Sequence, residues 1–149
     1  MPGTKSYNAQ LDNLEKKWWF VDGTDQIIGR VASDIAVVLM GKHRPNYTPN
    51  VDTGDFVILV NSDKLRFSGD KAQNKVYTWY TGYPGLRSET AAKRLERKSD
   101  QLIIDAVRRM LPKNKIGKQM LTKFKVYRGA EHPHAAQTPQ PLTGMRYLK

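Results

Sequence analysis

Two histidines, His132 and His134, are separated by a single proline in the stretch GAEHPHAAQTPQPL near the end of this 149-residue chain. In an extended segment, residues two apart point the same way, so both imidazole rings can reach one partner. A zinc site needs three or four protein ligands, and the chain has no cysteine. Glu131 and the distant His43 are the only obvious additional ligands. The spacing therefore favours rings that touch another molecule, with a solvated loop as the alternative.

The carboxylates of Asp52 and Asp55, three residues apart in NVDTGDF, are a second candidate for chemistry. Such a pair can bind Mg²⁺ or share acid–base work. No third ligand stands nearby, and Thr53 and Gly54 between them are typical of a turn. We therefore expect a turn stabilised by side-chain hydrogen bonds. An enzyme acting on nucleic acid through these carboxylates or the histidines is the alternative.

A strand and turn before a helix, WWFVDGTDQIIGR, could bind a nucleotide, but its glycines do not support this. Gly23 and Gly29 stand alone, where a dinucleotide fold needs three glycines. The phosphate-cradling pattern GxxxxGK[ST] does not occur in the chain. We therefore predict no catalytic residue, no metal, no cofactor and no small-molecule substrate.

Charge is the strongest signal in the composition. The chain has 25 Lys and Arg against 14 Asp and Glu, a net charge of +11. Residues 86–128 carry thirteen bases and four acids, whereas residues 1–40 carry four bases and five acids. A basic excess confined to one segment is typical of a surface that neutralises phosphates. It favours a nucleic-acid partner over a solvated face, and a membrane surface is less favoured than either.

Three groups of residues are placed to meet such a partner. Lys42, His43 and Arg44 follow a predicted helix end, where cations also suit the helix dipole. Tyr83, in the turn of YTWYTGYPG, is the best candidate for an exposed aromatic contact. Most of the other aromatics there are expected in the core. The third group spans a helix end and a loop: Arg108, Arg109, Lys113, Lys115, Lys118, Lys123 and Lys125.

Hydrophobic periodicity places these groups on an α/β domain with a mainly parallel sheet. WWFV, FVILV, VYTWY and KFKVYRG are predicted strands, and IIGRVASDIAVVLM is a predicted helix that Gly41 ends. SETAAKRLERK, with Ser88 as N-cap, SDQLIIDAVRRML and NKIGKQMLTKF are further predicted helices. The predicted core is Val31, Ile35, Leu39, Ile58, Val60, Ile103, Val107 and Met110.

The chain length fits one domain, and no apolar run is long enough to cross a membrane. The polar N-terminus shows no apolar signal-peptide core, which favours a soluble intracellular protein. We predict an N-terminal extension over residues 1–17, the α/β domain over residues 18–128 and a proline-rich extended tail over residues 129–149.

Five blocks together carry a family resemblance: WFVDGTDQIIGRVAS, GKHRPNYTPNVDTGDFVILVN, GYPG, RRMLPKNKIGKQM and KVYRGAEHPHAAQ. In this order they resemble the bacterial large-subunit ribosomal protein L13 family over nearly the whole chain. The resemblance implies a three-layer α/β/α domain with a four-stranded parallel sheet. It also implies a non-enzymatic cytoplasmic protein that binds large-subunit ribosomal RNA beside neighbouring ribosomal proteins and joins early in assembly. A free RNA-binding regulator is a further alternative.

The resemblance turns the basic and aromatic groups into candidate RNA contacts. These candidates are Lys42, His43, Arg44, Tyr83, Arg108, Arg109, Lys113, Lys115, Lys118, Lys123, Lys125, Arg128, His132 and His134.

Overall fold

A four-stranded parallel sheet forms the centre of the computed structural model, which describes residues 8–10 and 14–148. Its strands are β1 (Trp18–Asp22), β2 (Phe56–Val60), β5 (Phe124–Val126) and β6 (Gln140–Pro141), in the order β5-β2-β1-β6. The register places Trp18 beside Phe56 and Val57 beside Phe124. β3 (Val76–Tyr80) and β4 (Leu86–Thr90) form a separate antiparallel hairpin. The α/β class and the parallel sheet are confirmed.

In the described residues, four α-helices surround the strands: α1 (Ile28–Met40), α2 (Lys71–Asn74), α3 (Ala91–Met110) and α4 (Lys115–Thr122). α1 ends at Gly41, whose φ of 82° lies in the left-handed region that glycine adopts without strain. α3 bends at Lys98, where φ is −146°, so it consists of the two helices expected from the sequence. Asn114 is the N-cap residue of α4, and its side chain accepts a hydrogen bond from the Gly117 amide at 2.8 Å.

One face of the sheet packs against the helices. Side chains alternate along a strand, so Val21, Val57, Leu59 and Phe124 share this face through the register. They form one buried cluster with apolar residues of α1, α3 and α4. Seven of the eight predicted core residues are buried, with at most 1% exposure: Val31, Ile35, Leu39, Ile58, Val60, Ile103 and Val107.

The opposite face of the sheet is aromatic and lies against the C-terminal segment. The rings of Trp18 and Phe56 stack at 4.3 Å between centroids. Trp18 lies 5.3 Å from the His134 ring, and Phe20 lies 5.8 Å from the His132 ring. The layer on this face includes the C-terminal segment with its short 3₁₀ turn, Ala135–Gln137.

The C-terminal segment, predicted to be an extended tail, folds back onto the domain and contains a two-residue strand and a three-residue 3₁₀ turn. Gln140–Pro141 pairs in parallel with β1, at an edge where the missing proline amide costs no sheet hydrogen bond. Leu142 and Leu148 are buried in the main cluster. The Asp34 carboxylate accepts hydrogen bonds from the Tyr147 and Leu148 amides, each at 2.9 Å, which fixes the end of the segment.

Three local predictions also needed correction. Met110 is 43% exposed, because its side chain borders an open cleft, whereas Val107 and Leu111 on either side of it are buried in the main cluster. Ser88 lies within β4, and α3 begins three residues later. The aromatics of β3 are mostly outside the core, with Tyr80 68% exposed, because the hairpin is a two-stranded sheet outside the main one. In the described part of the chain, no helix is long and apolar enough to cross a membrane.

Candidate nucleic-acid interface

The Asp55 carboxylate, at the start of β2, is fully buried and surrounded by donors. Its Oδ1 accepts from the Lys17 backbone amide at 2.9 Å and from the Arg44 guanidinium. Its Oδ2 accepts from Trp19 Nε1 at 3.0 Å and lies 2.9 Å from His43 Nε2. Burial alone would raise the pKa of this carboxyl, but the hydrogen bonds and the guanidinium charge outweigh burial and lower the pKa to about 2. The carboxylate is therefore ionised and saturated with protein partners.

Asp52 makes a second ionic centre with Lys123. The Lys123 ammonium lies 2.5 Å from Asp52 Oδ1 and 2.8 Å from the Gly54 carbonyl oxygen. Lys16 reaches the other carboxylate oxygen at 3.2 Å. Burial lowers the pKa of Lys123, and Asp52 partly offsets that effect. Both candidate carboxylates therefore form ion pairs within the protein. The expected local side-chain bonds of the turn are not formed: Asp52 pairs with Lys16 and Lys123, and the Thr53 hydroxyl has no hydrogen-bond partner among the described residues.

Gly54 allows the chain to pass close to the end of α1. A Cβ atom at this position would lie 1.8 Å from the carbonyl oxygen of Leu39, which is backbone and cannot swing away. The same Leu39 oxygen lies 3.4 Å from the Lys123 ammonium. The glycine, the lysine and Asp52 together fix the loop between α1 and β2.

Three of the candidate RNA contacts bind to aspartates within the protein at these two centres. Lys123 is 4% exposed and its ammonium is satisfied by protein oxygens, so the expectation that it meets a phosphate is corrected. The side chains of His43 and Arg44 are 19% and 16% exposed, and both are directed at Asp55. Lys42 beside them is exposed, and its ammonium lies 6.0 Å from the Tyr47 ring centre.

The end of α3 and the helix α4 carry the exposed basic group. Arg108, Arg109, Lys113, Lys115 and Lys118 all face solvent. Arg108 lies 3.1 Å from Asp105, and the other four have no ion-pair partner within residues 14–148. On α4, Lys115 and Lys118 are exposed while Gly117 and Met120 are buried, so the helix presents its bases outward. We call these five residues the α3–α4 basic surface.

A groove of about 430 Å³ between the β3–β4 hairpin and α3 continues this surface. Arg108 and Arg109 lie on it together with Trp79, which is 37% exposed. Sequence reasoning missed three further bases of the groove, Arg94, Arg97 and Lys98. Their position depends on the hairpin folding over α3, which helical periodicity does not encode. The positive charge of residues 86–128 was the available signal.

Two acids in this groove are already neutralised. Arg97 forms two hydrogen bonds to the Glu89 carboxylate, at 3.0 and 2.7 Å, and these bonds lower the pKa of Glu89. Asp105 is held by Arg94 at 2.5 Å and by Arg108. Among the groove residues that the structure describes, no carboxylate is therefore left unpaired to repel a phosphate.

The other candidates are placed apart from this group. Tyr83 is 78% exposed at the tip of the hairpin. Lys125 is half-buried on β5, and the Arg128 side chain is exposed, with its guanidinium 3.7 Å from Asp100 and bonded to the Arg97 carbonyl oxygen. The structure thus brings Arg108 and Arg109 together on one groove, and it does not place Lys42 or Tyr83 among its lining residues.

The histidine pair is packed on the aromatic face of the sheet. The two rings are 6.4 Å apart and inclined by 20°, so they lie on the same side of the segment. His134 Nε2 lies 2.8 Å from the Tyr127 hydroxyl, and His132 Nδ1 accepts from the His134 amide at 3.3 Å. Across residues 8–10 and 14–148, no three His, Asp or Glu side chains converge as a metal site would require.

The parallel sheet and the α3–α4 basic surface define a basic α/β protein whose exposed charge suits a polyanion. A family model described as "Ribosomal protein L13" matches residues 16–133. The chain is 52% identical over 139 residues to the "Large ribosomal subunit protein uL13" of Aquifex aeolicus, covering 93% of this chain and 96% of that protein. The protein of the same name from Thermotoga petrophila is 51% identical over 142 residues, 95% of each chain. The chain therefore belongs to the ribosomal protein L13 family.

Proposed function

We propose that this chain is a structural constituent of the large ribosomal subunit in the cytoplasmic ribosome. It binds large-subunit ribosomal RNA, contacts neighbouring ribosomal proteins and joins early in assembly. The names of its relatives support the assignment. The observation that carries the RNA-binding role is the α3–α4 basic surface, where four exposed bases have no protein partner within residues 14–148. Asp55 and Asp52, which an enzyme would need, are occupied by protein donors.

The surface binds by neutralising phosphates, and the domain beneath it acts as a rigid mount. Phosphate contacts fix position and orientation on the RNA, whereas shape and unpaired bases supply selectivity. α3 is anchored in the core through Ile103 and Val107, and α4 through Met120. The backbone positions on α3 and α4 that carry these bases are therefore fixed before RNA arrives, so binding orders side chains and not the helices, which reduces the entropy lost on binding.

Co-sedimentation tests the assignment directly. The tagged chain, expressed in a bacterium, is expected in the large-subunit fraction of a sucrose gradient after salt washing. Recovery only in the ribosome-free fraction, or only with other RNAs, would contradict the proposal and favour a free RNA-binding regulator.

We expect the affinity for large-subunit ribosomal RNA to fall steeply with salt. Changing Arg108, Arg109, Lys113, Lys115 or Lys118 to alanine should flatten the log–log slope of affinity against salt by about 0.7–0.9 for each lost phosphate contact. Filter binding of transcribed RNA at several salt concentrations measures the slope.

Lys64→Ala is the matched control, because Lys64 is an exposed base on another segment of the chain. It should leave the slope unchanged. If the alanine variants on α3 and α4 leave the slope unchanged, as this control should, the phosphate contacts lie elsewhere on the protein.

We also expect His132 and His134 to contact ribosomal RNA and to bind no metal. The double change to alanine should weaken incorporation into the large subunit. Because the rings pack on Trp18 and Phe20, it should also lower the free energy of unfolding. The double change to phenylalanine keeps ring packing but removes the N–H donors, so it separates the two effects.

The phenylalanine variant should stay folded and incorporate poorly in a competition with unchanged protein. Full incorporation would limit both histidines to a structural role. Stoichiometric zinc in the purified protein, lost in the alanine variant, would show a metal site instead.

A further inference from the structure

A cleft of about 510 Å³ lies between the start of α1, the short helix α2 and the last turns of α3. We call it the α1–α3 cleft. Its apolar lining comes from Ile28, Phe67, Leu102, Ala106 and Met110. Leu102 and Ile28 are fully part of the core, whereas Phe67 is half-buried and Met110 is 43% exposed. In the isolated protein the cleft therefore exposes apolar surface to water, and this exposure is unfavourable unless a partner covers the surface.

Four cations line the same cleft: Arg30, Lys71, Lys75 and Arg109. None of them has an ion-pair partner within residues 8–10 and 14–148. Arg30 and Lys75 instead lie over aromatic rings, at 5.6 Å from the Tyr147 centroid and 5.0 Å from the Tyr77 centroid. An apolar floor beneath unpaired cations fits a ligand that joins a flat apolar group to a negative charge.

Among the described lining residues, the one carboxylate does not oppose such a ligand. Asp105 borders the cleft, but Arg94 lies 2.5 Å from one of its oxygens and Arg108 lies 3.1 Å from the other. Its charge is therefore compensated on the side away from the cleft. With this carboxylate neutralised, the four cations give the cleft a net positive charge, which disfavours a basic segment of a neighbouring protein.

We propose that the α1–α3 cleft holds one unstacked nucleotide of the large-subunit ribosomal RNA. The base lies on the apolar floor, and the flanking phosphates meet Arg30, Lys71, Lys75 and Arg109. The inference rests on the proposed function and deepens it, because phosphate neutralisation on α3 and α4 carries no sequence information, whereas a captured base does. Arg109 also lies on the hairpin groove, so one strand can run from the basic surface into the cleft.

Gly29 allows the cleft to be blocked without touching the core or the charges. It lines the cleft, and a Cβ atom there would meet no atom within 4 Å. Gly29→Trp should therefore fill the space with an indole while α1 stays folded. Gly29→Ala is the matched control, because it also replaces the glycine in the first turn of α1 but adds only a methyl group, which is too small to fill the cleft.

The unchanged protein and both variants are assayed for binding to transcribed large-subunit ribosomal RNA, with thermal unfolding as a check on folding. Gly29→Trp should bind about tenfold or more weakly than Gly29→Ala, in line with the loss of one base contact. Equal binding by the two variants would overturn the cleft proposal while leaving the proposed function intact. Failure of the unchanged protein to bind this RNA would instead overturn the proposed function, and the cleft proposal with it.

A photo-crosslink identifies the occupant even if Gly29→Trp unfolds. The photoreactive residue p-benzoylphenylalanine is introduced at Met110, on the cleft, and in a control protein at Lys64, an exposed position outside both the cleft and the hairpin groove. In assembled large subunits the Met110 probe should crosslink to one ribosomal RNA nucleotide, mapped by a reverse-transcription stop. A crosslink to a protein, or an absence of RNA crosslinks above the Lys64 control, would overturn the proposal.

Discussion

Replacing Asp55 by asparagine should lower the free energy of unfolding by about 3–5 kcal/mol, the cost of breaking a buried ion pair from one side. The change keeps the shape of the side chain but removes its charge and two of its acceptor sites. One oxygen can still accept from Lys17 and Arg44. The new NH₂ group would face Trp19 Nε1 and His43 Nε2, which are themselves donors. Urea denaturation at neutral pH measures the loss.

Asp25→Asn is the control for this change. Asp25 is an exposed carboxylate 3.8 Å from an exposed Arg66, and its φ of 58° is one that asparagine tolerates. An exposed pair of this kind contributes about 0–1 kcal/mol. A loss at Asp55 no larger than the loss at Asp25 would contradict the structural role of the buried centre.

The stability difference should also depend on pH with a definite sign. The pKa of Asp55 falls from an ordinary value of 3.8 to about 2 on folding, so the folded state binds fewer protons between these values. The ionised Asp55 therefore adds on the order of 2 kcal/mol to the free energy of unfolding above about pH 5, and this stabilisation is lost as the pH falls toward 2. The difference in the free energy of unfolding between the unchanged protein and Asp55→Asn should therefore become smaller as the pH falls from about 5 toward 2. A difference in the free energy of unfolding that stays constant from pH 7 to pH 3 would show that Asp55 ionisation does not cause it.

Local patterns were enough to predict the central part of the fold. The continuous apolar run Phe56–Val60 is typical of a strand covered on both faces, and it is the inner strand β2. The four-residue spacing of Val31, Ile35 and Leu39 predicted the buried face of α1. Gly41 ended that helix as expected, because a glycine in the left-handed region satisfies the last carbonyls. These features depend only on neighbours within a few residues.

The ionic centres depend on contacts between distant parts of the chain and could not be predicted in the same way. His43 and Arg44 look like phosphate contacts in sequence, where they follow a helix end. In the structure they meet an aspartate twelve and eleven residues later. Lys123 meets Asp52 across 71 residues. A basic residue can bind a phosphate or a buried carboxylate equally well, so composition cannot separate the two uses.

The docking of the C-terminal segment onto the domain could not be predicted for a related reason. Its prolines disfavour a helix or an inner strand, and the sequence predicts this correctly. An edge strand of two residues, Gln140–Pro141, needs no periodicity, because its hydrogen bonds come from β1. The energy that holds the segment comes from Leu142 and Leu148 in the core and from the Asp34 carboxylate. None of these contacts is local in sequence.

Ile103→Ala and Met110→Ala should have very different effects on folding, although both residues belong to the apolar stripe predicted for α3. Ile103 is fully buried in the cluster shared with α1, so its truncation leaves a cavity and should cost about 2–5 kcal/mol. Met110 is the last residue of α3 and is 43% exposed, so its truncation should cost less than about 1 kcal/mol. Chemical denaturation of the two variants, compared with unchanged protein, measures both values. Similar losses at the two positions would mean that the last turn of α3 packs on the domain more closely than its exposure indicates. A small loss at Ile103 would instead mean that α3 turns a different face to the core, since a buried β-branched side chain cannot be truncated there without losing its contacts.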